Sequence, residues 1–249
     1  AFAFEPRQCM APLPRAFGCV MAAPGTARDA PPVLLPAAAD GLRGPVQDIW
    51  LGAAAWGLAA GPGLAVVTGD IGMGADAAQG LDGVRLLLLA NHWQLQALAA
   101  AEAARGAPPL QGLPAAAFGP VAVTPDELGE AWTAGRVALP LRATLNGRAQ
   151  PPVEAAAAMP HGFGTLLAHL AMTRDLHAGQ IVGSGPLGLL PGLAAGDRIA
   201  IDLDGLDGLS VFGSLQQRVT GPGDAAPDSD RDGAASAPVP ADGSGVSAG

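Results

Sequence analysis

Four histidines, two cysteines and a scatter of carboxylates are the side chains of this sequence with chemistry to offer. All 13 basic residues are arginine, and there is no lysine and no tyrosine. That excludes a Schiff base, a phosphate-loop lysine and a phenolic acid. No two of His92, His161, His169 and His177 have zinc spacing with a third ligand. His169 falls within an apolar stretch and reads as a packed or surface residue, His161 and His177 as loop residues. Cys9 and Cys19 form no Cys-x-x-Cys pair and read as free thiols of a reducing, cytoplasmic compartment. Gly183-Ser184-Gly185-Pro186-Leu187-Gly188 fits G-x-G-x-x-G. A dinucleotide site needs a helix after that motif, and Pro186 and Pro191 deny it one, so the run reads as a turn. No G-x-S-x-G elbow supports Ser184 as a nucleophile. Asp70, Asp202, Asp204 and Asp207 read as solvated turn or strand residues.

The scaffold around these side chains is built from an unusual composition. The chain has 249 residues with 36 Gly and 24 Pro, yet 49% are hydrophobic, enough for a core of ordinary domain size. Only 14% are charged, and neither a G-x-y period nor heptads occur, which excludes collagen and coiled coil. A net charge of −9 argues against a nucleic-acid footprint. Residues 49–69 carry no charge and are long enough to span a bilayer. Their Ala and Gly content and the Gly61-Pro62-Gly63 sequence, read as a turn, point instead to soluble core. No membrane association is expected.

Residues 1–47 are Pro-, Ala- and Gly-rich and read as irregular, partly docked chain. The runs from Leu64 to Asp70 and from Val84 to Ala90 suit buried strands. Trp93 to Arg105 reads as a helix stopped by Gly106. Thr124-Pro125-Asp126-Glu127 has the form of a capping box opening a helix to about Ala134. Val137 to Asn146 alternates as a strand and turns at Asn146-Gly147. Phe163 to Met172 has apolar residues at helical spacing. Arg198 to Leu203 alternates strictly, and Leu209 to Val219 reads as its hairpin partner after an Asp207-Gly208 turn. Residues 221–249 hold five Asp against one Arg and no large apolar residue beyond two Val. They read as a disordered acidic tail behind a domain at 48–220.

Several blocks resemble a known family. Met10-Ala11-Pro12-Leu13-Pro14-Arg15-Ala16-Phe17 is similar to the opening segment of bacterial fumarylacetoacetate hydrolase family proteins. Trp56-Gly57 and the run from Leu64 to Asp70 resemble the strand after that family's metal-ligand pair. Phe118 to Gly129, Gln180 to Gly185 and Gly196-Asp197-Arg198-Ile199 follow in the family's order. The resemblance implies an α+β fold, a mixed β-roll with peripheral helices, and a homodimer. It implies hydrolysis of a carbon–carbon bond in a β-diketone acid, assisted by Mg or Ca; related branches decarboxylate, hydrate or tautomerise keto acids. Hard cations want oxygen ligands, which a Glu-x-Glu pair supplies on one strand face because the side-chain period is two.

At the positions the resemblance assigns to that pair stand Gly61 and Gly63, and at the metal Asp stands His92. Leu113 stands where a lysine is expected, and Pro186 where the family has Thr. Residues 18–35 lack the segment that supplies the base, and the chain starts where a small N-terminal domain would be ending. No metal and no cofactor are therefore expected, and no catalytic residue is assigned. Asn91, His92, Gly183, Ser184 and Gly185 are expected to line a residual pocket, with a small keto acid as its ligand. Three readings stay open: a non-catalytic homologue, an active hydrolase of a β-diketone or acylpyruvate by altered means, and a decayed gene product. Restoring Gly61→Glu, Gly63→Glu and His92→Asp together is expected to give partial metal binding at best.

Overall fold

A computed structural model describes residues 5–205 and 208–224. The fold is α+β, with mixed sheets and few helices. Its centre is a six-stranded sheet in the order Leu34–Pro36, Cys19–Ala22, Ile181–Pro186, Pro62–Thr68, Val84–Asn91, Ala117–Val123. All neighbours are antiparallel except Cys19–Ala22, which runs parallel to Ile181–Pro186.

The strand Pro62–Thr68 is buried along its whole length, which explains a continuous apolar run rather than an alternating one. Its side chains still alternate between faces. Leu64 and Val66 join Leu87, Leu89 and the helix Phe163–Ala171 in the larger core. Ala65 and Val67 join Leu88, Phe118 and Ile181 in a smaller one on the other face. A second sheet covers the larger core. Its order is Arg148–Ala149, Pro140–Leu145, Arg198–Leu203, Leu215–Thr220, Ile49–Trp50, and Val153–Glu154 pairs with Pro140–Leu145. Here alternation does operate: Ile199, Ile201 and Leu203 point into the core and Arg198 outward.

Several sequence expectations hold. Asn146 and Gly147 both have positive φ, 53° and 76°, and close a two-residue hairpin between Leu145 and Arg148. Gly106, at φ 69°, stands just past the end of a helix. That helix covers only Gln96–Ala103, because Gln94–Leu95 is drawn into a three-stranded sheet with Leu58–Ala60 and Leu190–Leu193.

Others are corrected. Residues 1–47 are not wholly irregular, since two strands of the central sheet lie within them. Pro62 and Gly63 are not in a turn but open the central strand, a position where a proline costs least. Gly183-Ser184-Gly185 is likewise strand; the register slips between Gly183 and Pro186, where Gly185 takes φ 71°. The Thr124 capping box does not form: Pro125–Ala131 is 3₁₀-helical with a break at Gly129, and the Thr124 side chain caps nothing. A reciprocal capping box exists instead between Asp76 and Gln79, opening Ala77–Asp82. The partner of Arg198–Leu203 is Leu215–Thr220, joined to it through bridging at Asp204 and Ser210. Asp207, and the acidic tail from residue 225 onward, lie outside the described residues.

No helix among the described residues is long and apolar enough to cross a membrane. The uncharged stretch 49–69 is divided among short strands and one 3₁₀ turn.

One buried carboxylate holds the loop after the helix Gln96–Ala103. Glu102 accepts hydrogen bonds from the backbone N–H of Gln111 at 2.8 Å and of Gly112 at 3.0 Å. The bond from Gln111 is the main cause that holds its carboxyl below the usual range. Glu102→Ala strands both donors. The variant should melt lower than wild type and be nicked faster by trypsin after the exposed Arg105; unchanged cleavage would show that the loop holds itself.

Candidate functional site

The residues expected to line a pocket do meet, at the ends of the three middle strands of the central sheet. Pro62 pairs with Asn91, Gly63 with Ala90 and with Pro186, and Gly183 with Ala65 and Met21. His92 leaves the strand Val84–Asn91 at its end and hooks back, its N–H donating to Gly61 O at 2.8 Å.

The imidazole lies in a cradle of glycines. A Cβ on Gly63 would stand 2.9 Å from His92 Cδ2, and one on Gly183 2.5 Å from Cε1. The ring therefore fills the space that side chains at these positions would need. It is 4% exposed, and its Nε2 lies 3.3 Å from Leu64 O. A carbonyl only accepts, so Nε2 carries the proton. Burial is the main cause that lowers the His92 pKa to about 4, which leaves the ring neutral at pH 7.

The neighbouring polar groups are committed to structure. Ser184 Oγ donates to Gly185 O at 2.7 Å and accepts from Leu64 N–H at 3.0 Å. Asn91 Oδ1 accepts from Gly61 N–H at 2.9 Å, and its Nδ2 donates to Gln217 Oε1 at 3.2 Å. Gln217 in turn donates to Gln47 O at 2.6 Å, which ties the central sheet to the second one. A Cβ on Gly185 would strike the carbonyl of Ala22.

The cavity beside His92 is lined by Cys19, Met21, Trp93, Leu113, Phe118 and others, and its volume is about 10 Å³. One water needs roughly 10–15 Å³ by the same measure, so the expected keto acid has no room there. Trp93 Nε1 is buried with no hydrogen-bond partner. Burial pushes the Cys19 thiol up to about 11, so it is protonated and inert at neutral pH. Cys9 and Cys19 are both free. A roomier hollow of about 460 Å³ lies over the second sheet, between Asp48, Arg198 and Arg218.

A hard divalent cation does not fit the residues present. Gly61 and Gly63 bring no oxygen ligand, the His92 ring occupies the space, and no carboxylate takes part in the contacts just described. Among the described residues no group of three or more His, Cys, Asp or Glu is arranged to hold a metal. The other histidines lie elsewhere. His177 Nδ1 is 3.8 Å from Asp70 Oδ1 at the surface, and His161 is buried beside the helix that carries His169.

Some carboxylates read as merely solvated are organised. Asp202 accepts from the hydroxyls of Ser210 and Ser214, Asp204 pairs with Arg142, and Asp70 accepts from Ala178 N–H at 2.8 Å. Sequence reasoning missed Met21, Trp93 and Gln217. Trp93 follows His92 directly and was the one with a signal. Met21 and Gln217 reach the site only through strand pairing.

A family model described as fumarylacetoacetate (FAA) hydrolase C-terminal matches residues 9–220. No curated protein matches the chain. Solved structures share its fold. 2-Hydroxyhepta-2,4-diene-1,7-dioate isomerase from Mycobacterium marinum superposes with a TM-score of 0.69 at 20% identity, over 86% of this chain and 78% of that one. 5-Carboxymethyl-2-hydroxymuconate delta-isomerase from Mycobacterium smegmatis gives 0.68 at 19%, over 87% and 83%. Fumarylpyruvate hydrolase from Pseudomonas aeruginosa, in complex with Mn²⁺ and pyruvate, gives 0.66 at 15%, over 88% and 99%.

Proposed function

This chain belongs to the fumarylacetoacetate hydrolase family, and from that premise we propose that it is a non-catalytic homologue, one that keeps the fold without the metal chemistry. The observation that carries this reading is the His92 ring packed into the Gly63 and Gly183 cradle. Metal-assisted chemistry of this kind needs an ion with open coordination positions and a shaped cavity around it. At the positions that the resemblance assigns to the ligands, the chain has close packing instead. His92 itself is a poor base, because its pKa is lowered to about 4 and general-base efficiency is best near the working pH. Ser184 Oγ is bonded on both its donor and acceptor sides. Assembly as a homodimer is part of the proposal, since the family resemblance implies it.

Calorimetry with Mg²⁺, Mn²⁺ and Ca²⁺ on the purified protein tests the reading. No stoichiometric binding is expected, and no turnover of an acylpyruvate in the presence of any of the three. One tight ion per chain, or multiple turnovers of the acylpyruvate, would overturn it.

A further inference from the structure

The loop between the short helix Ala155–Ala158 and the helix Phe163–Ala171 gathers cationic side chains from distant parts of the sequence. Arg28 donates through Nη2 to the carbonyl of Ala157. Arg136 donates to Pro160 O at 3.0 Å. His161 is the next residue of the loop, and an ideal Cβ on Gly162 would stand 3.2 Å from Arg136 Nη1. A guanidinium has five N–H donors, and these bonds engage one nitrogen of each arginine.

Three features of the cluster call for a negative partner. First, among the described residues none of Arg28, Arg136 and His161 forms an ion pair with an Asp or Glu, although the chain carries a net charge of −9. Second, Arg136 Nε and His161 Nε2 are both buried without a hydrogen-bond partner. Native proteins rarely leave such groups alone, and an ion or ordered water is the usual explanation. Third, the exposure is graded: Arg28 is open to solvent, Arg136 half-buried, and His161 only 7% exposed. The helix Phe163–Ala171 has no side-chain cap at Gly162, so the positive end of its dipole adds to the same field. Burial chiefly, then Arg136, His169 and Arg28, hold His161 below its ordinary pKa; a bound anion would oppose all three charges.

We propose that Arg28, Arg136 and His161 form a binding site for a small oxyanion, a phosphate group or a carboxylate. The arginines supply fork-shaped donors that match either anion, and His161 closes the buried end. The site stands independently of the proposal that the His92 cradle is inert.

The test uses the whole chain. The imidazole resonances of the four histidines are followed by NMR while inorganic phosphate, or acetate in a separate arm, is added up to about 10 mM. Sodium chloride at equal ionic strength is the control. The His161 signals should move saturably with at least one of the two oxyanions, its protonation should shift to higher pH, and the melting temperature should rise as site occupancy grows. Whichever arm saturates identifies the class of anion. Arg28→Gln, at an exposed position, should weaken the effect by about tenfold or more. His161→Phe should abolish the oxyanion-dependent rise in melting temperature, while leaving the protein at least as stable without anion because the orphaned nitrogen is gone. Absence of a saturable response in both arms, a response that chloride matches, or equal responses in wild type and both variants would each overturn the proposal.

Discussion

Gly63→Ala is expected to lower the melting temperature by roughly 2–12 °C, from an overpacking cost of about 1–3 kcal/mol in a domain of this size. The reason is backbone, not only side chain. An ideal Cβ at Gly63 would stand 2.5 Å from Gly185 O, as well as 2.9 Å from His92 Cδ2 and 3.0 Å from Ser184 Oγ. The imidazole could be displaced, but the carbonyl belongs to the paired strand Ile181–Pro186 and can move only with it. Gly61 is placed alike, 2.5 Å from His92 O and 2.9 Å from Pro186 Cγ. The same geometry bears on the combined change Gly61→Glu, Gly63→Glu and His92→Asp. Removing the imidazole clears one neighbour and leaves both carbonyls. Two carboxylates forced side by side would also repel one another. The triple variant should therefore fold poorly and show no stoichiometric Mn²⁺ binding by calorimetry. Wild-type melting of Gly63→Ala would mean that the strands separate cheaply, and the triple variant could then accept an ion.

Acid should begin to destabilise the protein through His92 above the range where carboxylates titrate. In the unfolded chain the imidazole has its ordinary pKa of 6.5, and in the fold burial lowers it to about 4. Between these values the unfolded state binds more protons, so stability rises with pH across this window and is fully present above 6.5. As pH falls through 6.5 toward 4 the contribution is lost, about 2 kcal/mol by pH 5 and about 3 kcal/mol by pH 4. His161 acts in the same direction, since its pKa is also lowered. Glu102 and Asp126, both held below the usual carboxylate range, add their own loss only as pH falls through their ordinary values of 4.5 and 3.8, at the acid end of this window. Denaturant unfolding at pH 7.5, 6.5, 5.5 and 5 would measure the slope. His92→Gln keeps an amide N–H that can donate to Leu64 O but cannot titrate, so its slope should be shallower by the His92 share. Parallel slopes for wild type and variant would show that the ring protonates in the fold without penalty, and that the cradle is wetter than its 10 Å³ cavity suggests.

Features that depend on near neighbours in the chain are legible from the residues alone. The Asn146-Gly147 hairpin follows from two residues that tolerate positive φ. The alternation of Arg198–Leu203 gives a half-exposed strand, and the spacing of Phe163, Leu166, Leu167 and Ala171 gives one buried helix face. The family resemblance, not local pattern, placed Asn91, His92, Gly183, Ser184 and Gly185 in one neighbourhood, with glycines where it calls for carboxylates.

What those residues do depends on contacts between distant parts of the chain. Local signals competed with pairing and lost wherever pairing buried more. Gly61-Pro62-Gly63 has turn chemistry, yet two flanking strands recruit Pro62 and Gly63 into the sheet. Cys19–Ala22 lacks any periodicity to announce it and exists because Ile181–Pro186 offers it an edge. Thr124 and Asp76 both precede helical turns, but only Asp76 is met by a reciprocal partner, Gln79. The absence of carboxylates at 61 and 63 reads equally as an open gap or a filled one. That the gap is filled, by a neutral imidazole against two strands, is a matter of packing between residues far apart in the chain, as is the meeting of Arg28, Arg136 and His161. Such contacts arise from the summed burial of the whole core, and no window of the sequence contains them.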